Sequence, residues 1–114
     1  MRINGYRRYC STNQVRTHMP YMPKVVLNCT NGYKLELDAM VEQFLSDGVQ
    51  FVAVAGVDCS MVEDIIDELV VGDGSDNSRY LLTSSHQGES LSEVIEFARS
   101  AITEPPGEPQ VVEF

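Results

Sequence analysis

A chain of 114 residues with 43% apolar content has the size of one domain and enough apolar material for a core that needs no disulfide or metal staple. These numbers exclude a disordered chain, and the longest apolar run, Phe51 to Val57, is too short to span a bilayer. The net charge of −9 is unevenly spread: residues 1–23 hold four arginines and no acid, whereas residues 24–114 hold four bases against all 17 acids, a body of −13 that repels phosphate backbones and argues against a nucleic-acid partner.

Residues 1–23 (MRINGYRRYCSTNQVRTHMPYMP) show no sustained helical or strand period and end with Pro20 and Pro23, so they are expected to form an extended or flexible basic arm. The segment is arginine-rich and acid-free like a transit peptide, but it lacks an amphipathic stripe, and no secretory signal pattern opens the chain. Tyr6, Tyr9 and Tyr21 give it aromatic rings with which to pack on the acidic body or on a second subunit. From Lys24 the chain alternates. KVVLNC (24–29) predicts a buried strand. Tyr33, Leu37, Met40, Val41, Phe44 and Leu45 recur at helical spacing, with Gly48 as the stop. VQFVAVAGV (49–57) predicts a second strand, and Val62, Ile65, Ile66, Leu69 and Val70 a second helical stripe ending near Gly72. GDGSDNS (72–78) is turn-rich, and RYLLTSS (79–85) predicts a third strand. Leu91, Val94, Ile95, Ala98 and Ile102 predict a third helix, EPPGEP breaks it, and QVVEF (110–114) predicts a last short strand.

The order β-α-β-α-β-α-β implies a mostly parallel four-stranded sheet with right-handed crossovers. The expected architecture is therefore a small three-layer α/β/α sandwich, Rossmann-like or flavodoxin-like, over residues 24–114, with both sheet faces covered by helices. Local periodicity carries no information on strand order.

In such sheets ligands bind beyond the carboxyl ends of the strands. That rule gathers NCTNG (28–32), VDCS (57–60) and TSSHQGE (83–89) at one edge, where Cys, His and Asp converge. Much of this polarity is explained by capping. Ser60-Met61-Val62-Glu63 and Ser90-Leu91-Ser92-Glu93 both fit the S-x-x-E capping box and are expected to open the second and third helices. Asp58 and Glu89 suit the positive ends of those helices. Cys59 and His86 remain unexplained by capping. A thiolate at Cys59 would be favoured by the helix N-terminus and opposed by neighbouring Asp58, so a nucleophile there requires His86 within hydrogen-bond reach. Asn31, Ser60, Ser85 and Glu89 complete the candidate ligand-binding set.

Other chemistries find little support. Cys29, Cys59, His86 and Asp58 could meet, but no close ligand pair of metal-site spacing exists, and no metal is expected. The DGSDN loop lacks the order of a calcium loop, and no phosphate-binding glycine motif is present, so no cofactor is expected. His18 lies in the arm. Three cysteines, an odd number and widely spaced, argue against a disulfide framework and for the reducing cytoplasm. The glycosylation sequon Asn28-Cys29-Thr30 falls at the end of a buried strand and is read as chance.

The segments GVDCS (56–60) and LTSSHQGESLSEVIEF (82–97) resemble a group of small bacterial α/β domains of unknown function. In that group a G-x-D-C-S stretch follows one strand and a T-T-W-H-x-x-E-x-L-x-E-V-x-x-F stretch follows the next. The matching positions are Gly56, Asp58, Cys59 and Ser60, then Thr83, His86, Glu89, Leu91, Glu93, Val94 and Phe97. The chain departs in having Ser85 where the pattern has tryptophan, which argues against an aromatic-lined pocket. The resemblance covers about residues 24–103; it implies the α/β fold, points to Asp58, Cys59 and His86, and carries no activity. Two functions are therefore weighed. The first is a non-enzymatic binding or protein-interaction module with a protein partner or small ligand, acting through the strand-end edge or an acidic helical face, and open to homodimer formation. The second is a small cysteine-dependent enzyme of acyl or thiol chemistry, with Cys59 as nucleophile, His86 as base and Asp58 orienting the histidine.

Overall fold

The computed structural model describes residues 19–114. Its elements alternate as expected: β1 (Lys24–Cys29), α1 (Leu37–Asp47), β2 (Phe51–Gly56), α2 (Cys59–Val71), β3 (Leu82–Ser85), α3 (Leu91–Arg99) and β4 (Gln110–Glu113). All pairings are parallel, in the order β3-β2-β1-β4. This order matches the first four strands of the doubly wound dinucleotide-binding sheet and places the reversal of winding between β1 and β4.

The period-two alternation of the strands sorts their side chains into two layers. Val25, Leu27 and Cys29 of β1 and Val52 and Val54 of β2 pack with Leu37, Val41 and Phe44 of α1 and with Val62, Ile66 and Val70 of α2. Val26, Ala53 and Ala55 point the other way, against Val94 and Ala98 of α3. Two helices thus cover one face and one helix covers the other. The small alanines of β2 let α3 lie close over the sheet centre, and the β3 and β4 margins of that face stay open. Leu82 and Val111 are exposed there, so the expected full cover of both faces holds for the two central strands only.

Several element ends differ from expectation, and β2 and β3 are shorter than their predicted spans. Tyr33 precedes α1, which begins at Leu37 and closes on Gly48 in the left-handed conformation (φ 84°) as the stop signal implied. α3 ends at Arg99, where the Ser100 hydroxyl turns back to the Phe97 carbonyl, and Ile102 lies beyond it, 95% exposed.

The expected arm falls mostly on residues 1–18, outside the described residues. Of residues 19–23, Tyr21 and Pro23 are tied to the domain, while Met19 and Pro20 are exposed. The Tyr21 amide donates to Asp47, the Tyr21 ring meets Phe44 edge-on at 4.8 Å, and the Pro23 carbonyl accepts the amides of Gln50 and Phe51.

Candidate functional site

The carboxyl ends of β1, β2 and β3 bring the loops 30–33, 57–58 and 86–90 to one edge, as the topology requires. At the reversal point the space is taken by Phe114. Its ring is buried, its carbonyl accepts the Thr30 amide, and the Lys34 ammonium stands 4.8 Å over the ring. The usual ligand crevice of a doubly wound sheet is therefore filled by side chain.

One position away, between β2 and α2, the chain turns sharply. Gly56 adopts φ 93°, and a Cβ there would meet the Cys29 carbonyl oxygen at 2.3 Å, so the two strand ends touch backbone to backbone. Asp58 follows in the left-handed region (φ 60°), alone among the described non-glycine residues. It is the N-cap of α2, yet its side chain does not cap the helix; Oδ2 accepts the Tyr33 amide at 3.3 Å and ties the first loop to the second. Gly32 makes room for that carboxylate, since a Cβ there would lie 2.5 Å from Oδ2.

The expected capping box at Ser60 is not formed. α2 begins two residues earlier than that box requires, at Cys59, so Ser60 lies inside the first turn and Glu63 turns to the Thr83 hydroxyl. No side chain caps the first turn, which leaves its amides facing outward. They border a pocket of about 410 Å³ lined by Gly56, Val57, Asp58, Cys59, Ser60, Met61 and Gln87, where the Ser60 hydroxyl lies 3.5 Å from the Gln87 side-chain oxygen Oε1. The Ser90 box is formed in full: Ser90 accepts the Glu93 amide, and Glu93 accepts the Ser90 amide at 2.7 Å.

Cys59 is 2% exposed and belongs to the core layer under α1 and α2. Cys29 is fully buried in that layer. Burial pushes its thiol up to about 11, with the neighbouring Cys59 and Asp58 acting in the same direction and Lys34 opposing them. Both thiols are free.

His86 lies on the opposite layer. It follows Ser84 by two residues on the face that carries Ala53 and Ala55, and it packs at 4.6 Å against Phe97 of α3. Both ring nitrogens are engaged: Nε2 lies 2.7 Å from Ser84 Oγ, and Nδ1 lies 3.2 Å from the Glu89 carboxylate. With Glu89 ionised, Nδ1 carries the hydrogen, and a neutral ring then accepts the Ser84 hydroxyl at Nε2. On a flat strand the amides alternate between the β2 ladder and the outer edge, so none converges on Ser84 Oγ as an oxyanion donor would. The trio reads as a satisfied, 6% exposed histidine.

The sheet therefore stands between Cys59 and His86, and they form no hydrogen-bonded couple. Asp58 orients a loop amide in place of the imidazole. Of the candidate binding residues, Ser60 lines the pocket, Glu89 is committed to His86, Asn31 is exposed on the first loop, and Ser85 is half-buried at the end of β3. Ser84 belongs to the strand-end candidates that the sequence gathers, whereas Gln87 does not. Period two along the strand would have placed Ser84 on the histidine's face. Nothing local distinguishes Gln87.

Among the described residues there is no cluster of three or more potential metal ligands, and no helix is long and apolar enough to cross a membrane. No curated protein and no solved structure matches the chain. A family model matches residues 6–112, a span that takes in most of the basic N-terminal segment together with the sheet and helices, and the chain accordingly belongs to the family described as a domain of unknown function (DUF7684).

Proposed function

We propose that this protein is a non-enzymatic binding module that engages a protein partner or small ligand. The observation that carries the reading is the separation of Cys59 from His86 onto opposite layers of the sheet, each already buried. A thiol nucleophile needs a base in contact and an accessible sulfur, and this geometry supplies neither. What the strand-end edge offers instead is a polar-rimmed pocket: the outward amides of α2, Ser60 and Gln87, with Asn31 on the adjoining loop. Free, buried cysteines suit the cytoplasm.

The alternative, a cysteine-dependent enzyme, keeps one point in its favour, since Cys59 opens α2 and lines that pocket. Iodoacetamide labelling of the native protein near pH 7.5, resolved by peptide mass spectrometry, separates the two. The binding module predicts that Cys59 reacts at least about a hundredfold more slowly than in denaturant, because alkylation of a buried thiol waits on an opening that costs several kcal/mol, and that His86→Ala leaves the rate unchanged. A native Cys59 that outpaces the denatured one, and slows in His86→Ala, would establish the enzyme instead.

A further inference from the structure

We propose that the free edge of β3 is a strand-addition site for an extended segment of a partner protein in which basic and apolar residues alternate. This deepens the binding-module reading by naming a surface and the chemistry of its partner.

The amides of Leu82 and His86 donate to the carbonyls of Gln50 and Val54 on β2. By ladder alternation, the amide and carbonyl groups of Thr83 and Ser85 point away from the sheet, and no hydrogen bond engages those amides among the described residues. An open edge is a template for pairing unless it is guarded by charge, proline or a bulge. β3 has none of these: residues 77–88 contain no acid in a chain with 17, and the only charge among them, Arg79, is held by Glu42 and the α2 carbonyls. The other edge strand differs. β4 is crossed at its first residue by Met22, whose amide donates to the Gln110 side chain, and Glu108 and Glu113 flank it.

The two sides of the β3 edge have opposite chemistry. Toward α2, the Thr83 hydroxyl lies 3.0 Å from Glu63 Oε2 and 2.6 Å from Asp67 Oδ1. A hydroxyl has one proton, so one of these carboxylates faces it without a donor. Asp64 and Glu68 add negative charge on the same helix, which has no base in its last turn. Toward α3, Leu82, the ladder partner of Phe51, is 54% exposed, and Phe97, whose ring lies 6.2 Å from that of Phe51, is 48% exposed. Because side chains of an added strand alternate between these two sides, its partner residues alternate in kind: lysine or arginine against Glu63 and Asp67, apolar against Leu82 and Phe97. A second copy of the chain would set one acidic α2 beside another and is disfavoured.

The test uses the full-length protein and a fluorescent synthetic peptide alternating lysine with valine and threonine, read by anisotropy and amide hydrogen exchange. Binding is expected, with new protection at Thr83 and Ser85. Ser85→Pro removes an outward amide while leaving the β2 ladder intact, and it should weaken binding at least about tenfold. Glu63→Gln with Asp67→Asn should do so at least about fivefold, as should a peptide of the same composition with its lysines in one block, since both remove the charge pairing. Circular dichroism checks that each variant folds. Absence of binding, affinity unchanged in both variants, or protection confined to α2 would overturn the proposal. So would a free protein that dimerises through this edge, or a β3 edge that gains exchange only when residues 1–18 are deleted, because the occupant would then be a second copy or the chain itself. Any of these leaves the binding-module reading standing, whereas a fast Cys59 alkylation would end that reading without touching the edge.

Discussion

Cys29 is where the chemistry of a single residue reaches the stability of the whole. Its thiol is held up to about 11, above the ordinary value near 9, because the folded state gives a thiolate no water and places Cys59 and Asp58 near it. Folded and unfolded chains therefore bind the same proton below pH 9. Above it the unfolded chain ionises first, so stability is full below pH 9 and falls as pH rises toward 11. The loss is on the order of 2 kcal/mol from this group. Urea unfolding at pH 8 and pH 10.5 should show it, and Cys29→Ala should flatten the dependence while lowering stability at both. Glycine provides a second test at this scale. Gly56→Ala drives a Cβ into the Cys29 carbonyl at a positive φ and is expected to cost at least about 2 kcal/mol. Gly32→Ala shares the φ penalty, but its obstacle is the end of the Asp58 side chain, which can turn away, so it is expected to cost about half as much. Thermal unfolding that ranked them in the reverse order would mean that the strand-end contact yields more readily than the Asp58 side chain. His86 is legible as unusual, but the partners expected for it, Cys59 and Asp58, are not the ones it has: Ser84, two residues away on the same strand face, and Glu89 engage its ring.

At the scale of elements, two sequence patterns of the same form had different fates. Both Ser60 and Ser90 head an S-x-x-E run. Only Ser90 became a cap, because the chain enters α3 from an extended residue (φ −72°, ψ 159°), the conformation an N-cap needs. The chain enters α2 through left-handed Asp58, which starts the helix two residues early and carries Ser60 past the capping position. Ser90→Ala is accordingly expected to cost about 1 kcal/mol and Ser60→Ala less than about 0.5 kcal/mol, a difference readable from paired denaturant titrations. The helical stripes were legible in α1 and α2 because their apolar positions face one packed layer. Ile102 continued the stripe of α3 on paper, but the helix had already stopped at Ser100, where a side-chain hydroxyl competes for the Phe97 carbonyl. Strand β1 matched its expected span residue for residue, since an unbroken apolar run in a central parallel strand leaves little ambiguity. Strand β3 was shorter than its segment: Arg79 serves the end of α2 through the Leu69 and Val70 carbonyls, and Tyr80 stays exposed.

For the molecule as a whole, charge and cover set the behaviour. The described residues carry four bases against 17 acids, and the acids crowd on α2 and the loop after it. Mutual repulsion in the compact state is screened by salt. Raising sodium chloride from about 0.05 to 0.5 M, which shortens the screening length to a few ångströms, is therefore expected to raise Tm; a fall would show that ion pairs such as Arg79–Glu42 outweigh the repulsion.

The sequence by itself determined the α/β class, the order of elements, the edge of the sheet where polar residues gather and the sign of the surface. All of these follow from composition and local periodicity, which a chain carries before it folds. Tertiary structure alone decided the strand order, the side of the sheet on which each polar group lies, and the cover left open at β3. A one-residue change of phase moves a side chain through the sheet, and that phase placed Cys59 under α1 and α2 and His86 under α3. Residues brought to one edge by topology are thus kept apart by the pleat, and a site assembled from sequence at the strand ends divides into a buried thiol on one layer and a satisfied histidine on the other.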